Sequence, residues 1–120
     1  MQRNWDTVRE IMLKVEALEP TQMLSLSEFE KDRDYEISYH VQMLEEIGLI
    51  RASISRTISK GANGFNVKEL TWHGHEFLDS VREQSTWSKT KTLISSKGGV
   101  MTFEVIKTVA ASLVKSAIGE

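Results

Sequence analysis

Apolar residues recur three or four positions apart from Asn4 to Leu18, at Trp5, Val8, Ile11, Met12, Val15 and Leu18, while Asp6, Arg9, Glu10 and Lys14 fall mostly elsewhere on the helical wheel. The spacing predicts an amphipathic first helix. Glu19-Pro20-Thr21 ends it, because proline disfavours helical geometry in the preceding residue, and Met23-Leu24-Ser25-Leu26 is short enough for one small strand. The acidic stretch from Ser27 to Arg33 reads as either a short helix or a loop. Helical spacing then returns, with Ile37, His40, Val41, Leu44 and Ile47 on a face expected to meet the core and Tyr35, Ser38, Tyr39, Gln42, Glu45 and Glu46 opposite. Asp34 is expected to cap this second helix, and Gly48 to end it in the left-handed conformation.

Leu49 to Ile58 alternates in part, placing Ile50, Ala52, Ile54 and Ile58 on one side and Arg51, Ser53, Ser55 and Thr57 on the other. Lys60-Gly61-Ala62-Asn63-Gly64 is a turn signal before Phe65-Asn66-Val67, so a β-hairpin is predicted. Thr71 can cap a helix from Trp72 to about Arg82, with Phe77, Leu78 and Val81 inward beside Gly74. Ser85 or Thr86 is expected to cap another helix over Trp87 to Ile94. Ser95-Ser96-Lys97-Gly98-Gly99 is the clearest break, and after it Phe103, Ile106, Val109, Ala110, Leu113, Val114 and Ala117 cover about half of a final helix. The expected fold class is mainly α with a small β-hairpin, arranged as a domain over residues 1–83 and a C-terminal helical extension over residues 84–120.

The 120 residues are 40% hydrophobic and 27% charged, the balance of a chain able to bury a core. A net charge of −2 excludes coating of nucleic acid by bulk charge, so any such contact must be local. There is no cysteine, which removes disulfides, thiolate catalysis and cysteine-based zinc sites. No secretory signal or membrane-spanning run is read, and a cytoplasmic location is the simplest expectation.

Two blocks, Ile37-Ser38-Tyr39-His40-Val41-Gln42-Met43-Leu44-Glu45-Glu46-Ile47-Gly48-Leu49-Ile50 and Leu70-Thr71-Trp72-His73-Gly74-His75-Glu76-Phe77-Leu78, together with the later Trp87-Ser88-Lys89-Thr90-Lys91, resemble a family of small uncharacterised proteins of phages and prophages. The same blocks resemble winged helix-turn-helix regulators more generally, in which a helix ending in Gly-Leu-Ile precedes a hairpin and a Leu-Thr step leads into the next helix. The resemblance implies a winged helix in a mobile-element setting and brings no reaction with it.

In such a fold the exposed face of the second helix enters the major groove and the hairpin touches the backbone. A DNA-binding regulator would therefore use Tyr35, Ser38, Tyr39 and Gln42 nearest the bases and Arg51, Arg56 and Lys60 on phosphates of duplex DNA. The charges divide the case. From Glu28 to Glu46 seven acids face two bases, a local charge of −5, whereas Arg51, Arg56, Lys60 and Lys68 are the only charged residues from 51 to 68. The alternative is a protein-binding module whose Glu28, Glu30, Asp32, Glu36, Glu45 and Glu46 engage a basic host or phage protein. Phe103, Ile106, Val109 and Leu113 are the candidates for a homodimer contact.

His73, His75, Glu76 and Asp79 give at most two ligands on one helical turn, and catalytic zinc needs three protein ligands. A solvent-facing or capping role is expected there, and a hydrogen-bonded structural role for His40. No nucleophile and base pair, phosphate-cradling loop or supported carboxylate pair is found, so no enzymatic activity, cofactor or metal is expected.

Overall fold

Asn4 stands in extended geometry just ahead of the first helix, and its side-chain oxygen accepts from the amides of Asp6 (2.9 Å) and Thr7 (3.3 Å). Helix α1, Trp5–Glu16, thus starts with two of its free amides satisfied. The structure, a computed structural model, describes residues 1–55 and 64–118. After α1 come a two-residue strand β1, Leu24–Ser25, and two single 3-10 turns, Leu26–Glu28 and Lys31–Arg33. The stretch that sequence left between helix and loop is therefore a pair of tight turns.

Helix α2, Asp34–Glu46, continues directly from the second turn, and no side chain caps it. Asp34 already has helical dihedrals (φ −53°, ψ −46°), so its expected role as the cap is corrected: it sits inside the first turn. At the other end Gly48 adopts φ +78°, as its position predicts, while the Leu49 amide donates to Leu44 (2.9 Å) and the Gly48 amide to Glu45 (3.1 Å). These two bonds close the helix in a Schellman motif, with Leu44 and Leu49 both buried across it. Strands β2, Ile50–Ile54, and β3, Phe65–Leu70, follow.

The three strands form one antiparallel sheet in the order β1-β3-β2. Leu24 opposes Val67, Ile50 opposes Leu70, and Ile54 opposes Phe65, which aligns the apolar positions on one face. Arg51 opposes Glu69 but Ala52 opposes Val67, which leaves Lys68 as an extra residue in a bulge. The bulge explains why Lys68 and Glu69 are both exposed although neighbours in a strand normally alternate.

The chain forms two compact units, Met1–His75 and Glu76–Glu120. The first buries Val8, Ile11, Met12, Val15, Leu24, Ile37, Val41, Leu44, Leu49, Ile50, Phe65, Val67 and Leu70 between α1, α2 and the sheet. Helix α3, Trp72–Val81, begins in it and ends in the second unit, which holds α4, Gln84–Ser96, and α5, Phe103–Ala117. There Phe77, Leu78, Val81, Trp87, Ile94, Ile106 and Ala110 are buried, and the Phe77 and Phe103 rings stack 4.9 Å apart. α4 starts earlier than expected: Glu83 precedes it without a side-chain cap, and Ser85 and Thr86 lie within the helix. The described part is mainly helical with a small three-stranded antiparallel sheet, and no described helix is long and apolar enough to cross a membrane.

Candidate functional site

Every residue first expected near DNA bases lies on α2, so the site is built from the contacts that fix this helix. Arg33, at its N-terminus, reaches two carboxylates from two elements. Its Nη1 and Nη2 donate to both oxygens of Glu10 on α1 (2.8 and 2.9 Å), and its Nε and Nη2 to both oxygens of Glu36 on α2 (3.0 and 2.9 Å). The Thr7 hydroxyl also donates to Glu36. The hydrogen bonds from Arg33, then that from Thr7, hold the Glu36 carboxyl at about 2, well below its ordinary 4.5, and the hydrogen bonds to Glu36, then those to Glu10, raise Arg33 above its normal value. Glu36 is accordingly spent inside the molecule and offers no free charge to a partner.

One turn along, His40 is buried between α2 and the chain ahead of α1. The Asn4 amide donates to its Nε2 (2.8 Å), which fixes the remaining proton on Nδ1, and that nitrogen donates to the Glu36 carbonyl (2.7 Å). His40 is a hydrogen-bonded structural residue, as its wheel position suggests. Ser38 differs from its expected outward position: it is only 5% exposed, and its hydroxyl turns back to the Tyr35 carbonyl. It presents nothing to a ligand.

Tyr35, 58% exposed, and Tyr39, whose edge meets the His40 ring at 5.6 Å, do face outward. With Gln42, Met43, Glu45 and Glu46, Tyr39 lines an open depression of about 370 Å³. Ile47 was expected to turn inward but is 55% exposed, because the helix ends there and the chain departs from the wheel. The outward face of α2 is thus aromatic and aliphatic with two carboxylates beside it. No Lys or Arg occurs between Asp34 and Glu46.

The end of α2 is tied to the start of α3 by Thr71. Its amide donates to Leu49 (3.1 Å), its hydroxyl donates to the Gly48 carbonyl, and the same oxygen accepts from the Gly74 amide (3.0 Å), completing the cap expected of it. A Cβ at Gly74 would lie 2.0 Å from the Leu49 carbonyl oxygen, so the two backbones touch. Trp72, between the cap and this glycine, is 75% exposed. Sequence reasoning passed over Trp72, Met43 and Ile47 as site residues. For Trp72 a signal existed: two positions before an inward Gly74, a helical residue points to the opposite side.

The basic hairpin is less free than its composition suggests. Arg51 pairs across the strands with Glu69 (3.0 Å), an acid just beyond the basic stretch, although both remain about half exposed. Lys68 is exposed, while Arg56 and Lys60 lie outside the described residues. Glu28 and Asp32 are exposed in the two 3-10 turns, and Glu30 is exposed between them. His73, His75, Glu76 and Asp79 are exposed, Asp79 pairs with Arg82 (2.8 Å), and among the described residues no three His, Asp or Glu groups gather as a metal site would require. Of the candidates for a contact between copies, Ile106 is buried and Phe103 stacks on Phe77, while Val109 and Leu113 are half-buried.

A protein of Haemophilus influenzae (strain ATCC 51907 / DSM 11121 / KW20 / Rd), described as uncharacterized, is 34% identical over 119 residues, covering 98% of this chain and 99% of that protein. No solved structure matches the chain. Residues 2–100 match the model of the family described as "Hypothetical protein (DUF2513)", and the chain belongs to that family.

Proposed function

We propose that the first unit is a winged helix-turn-helix turned to protein recognition, with the outward face of α2 as its binding surface. The order of helix, short strand, turns, helix and hairpin supports this reading, in which α2 takes the place of the recognition helix and β2–β3 that of the wing. The observation that carries the reading is the make-up of α2: a helix meeting phosphates draws most of its affinity from Lys or Arg, and this one has neither. It offers Tyr35, Tyr39 and Ile47 instead, residue types that anchor protein interfaces.

Duplex DNA is the second reading, favoured by the fold's usual employment and by exposed Lys68 beside Arg51 and the sequence neighbours Arg56 and Lys60. With at most about four phosphates neutralised, log affinity would fall against log salt no more steeply than roughly −3.6. Two double variants separate the readings on duplex DNA and on a partner captured after nuclease treatment. Protein recognition predicts that Glu45→Lys with Glu46→Lys destroys capture, while Arg56→Glu with Lys60→Glu leaves it intact. Salt-sensitive DNA binding abolished by the wing variant, with capture absent, would overturn it.

A further inference from the structure

We infer that the face of α2 and the exposed Trp72 form one docking surface, and that its occupant is a cationic amphipathic protein segment: an aliphatic or aromatic anchor flanked by Arg or Lys. This rests on the reading of α2 as a protein-binding face and names the partner's chemistry.

Trp72 joins α2 through the backbone. Thr71 bonds to Gly48 and Leu49, so Ile47 and Trp72 each lie one residue from a fixed junction between the two helices. The junction has little room to move, because Gly74 packs its backbone against Leu49 and Thr71 holds the first turn of α3. A large, exposed aromatic on a rigid backbone loses little freedom on binding, which is the profile of an interface anchor. Tyr39, Met43 and Ile47 follow at four-residue spacing on one side of the helix, and the Tyr39 ring is already oriented by its T-shaped contact with His40.

Charge selects the occupant. Glu45 and Glu46 border the depression below Tyr39, make no ion pair among the described residues, and have no cation nearby in α2 to offset them. Carboxylates beside the exposed phenol ring of Tyr39 suit a guanidinium or ammonium, which can pair with the first and lie over the second. An acidic segment or an anionic lipid surface would meet repulsion. A second copy using the same face would bring two acidic helices without cations together, so self-association there is disfavoured. A helix or strand laid along α2 with its apolar side inward and cations at its rim satisfies both parts of the surface.

The test is selection of random-sequence peptides on the folded full chain, followed by affinity measurements on the variants. The expected winners carry an apolar anchor with adjacent Arg or Lys, weaken roughly thirty-fold on Trp72→Ala, and weaken at least about tenfold on Glu45→Lys with Glu46→Lys. Because Trp5 and Trp87 are buried, a fall in quencher-accessible tryptophan emission on binding reports Trp72 directly, and Trp72→Phe restores most of the affinity lost by Trp72→Ala without relying on that signal. Acidic or uncharged winners that still need Tyr39, or basic winners indifferent to Glu45 and Glu46, overturn the cationic partner and leave the α2 reading standing. Winners insensitive to every α2 change, or no winners at all, overturn both.

Discussion

Arg33 shows how one side chain can set the character of a surface from beneath it. By gripping Glu10 and Glu36 at once it fastens α1 to α2, and it removes one cation and two carboxylates from the charge a partner would meet. Because the folded Glu36 value lies below the unfolded one, the stability it confers is present above pH 4.5 and is lost as pH falls toward 2. Glu36→Gln should therefore lower the melting temperature at neutral pH by roughly 5 °C, about 1 kcal/mol once the screening of a third-exposed site is allowed for, and the gap to wild type should narrow from pH 4.5 and close only as pH passes below 2. Thermal melts across that range check it, and a gap undiminished at pH 2 would mean the network stabilises by packing alone. None of this pairing was legible in the sequence. Spacing along the chain put Glu36 among the acids of a binding surface and counted Arg33 as a nearby offset, but the partner Glu10 lies on another helix. The same blindness hid Glu69 from the count of the basic hairpin.

Elements were read more reliably than their ends, and the reason is physical. Helical periodicity is set by many apolar contacts, so α1, α2, α3 and α5 follow from the positions of Ile11, Ile37, Phe77 and Ile106, whereas a terminus turns on one or two hydrogen bonds. Asn4 and Thr71 cap as their residue types allow; Asp34 does not, because the preceding 3-10 turn already supplies helical geometry. Ser38 and Ile47 exchanged their expected sides, one drawn in against Tyr35 and the other released where the helix stops. The junction of α2 and α3 tests this element-level account. Gly74→Ala forces a Cβ into the Leu49 carbonyl and should cost roughly 3 kcal/mol or more, while Trp72→Ala, two residues away and exposed, should stay within about 0.5 kcal/mol. Urea unfolding of the two variants gives the comparison. Equal costs would show that Trp72 is part of the packing and not a presented anchor.

Across the whole molecule a net charge of −2 conceals an uneven distribution: acids dominate from Glu28 to Glu46 and bases from Arg51 to Lys68. Sequence made this segregation plain, together with the mainly helical class and the hairpin, but not which faces remain free after Arg33 and Arg51 have found their partners. The outward face of α2 and the braced turn after it present two tyrosines, an isoleucine and a tryptophan, and the helix carries no cation. The most direct measurement is the pattern of backbone amide shifts when the labelled chain is titrated in turn with a selected peptide and with duplex DNA. The peptide should perturb Tyr35, Tyr39, Gln42, Met43, Glu46, Ile47 and Trp72 as one saturable set, and DNA should leave these amides in place. Perturbation by either titrant confined to Arg51, Arg56, Lys60 and Lys68, with α2 silent, would contradict it.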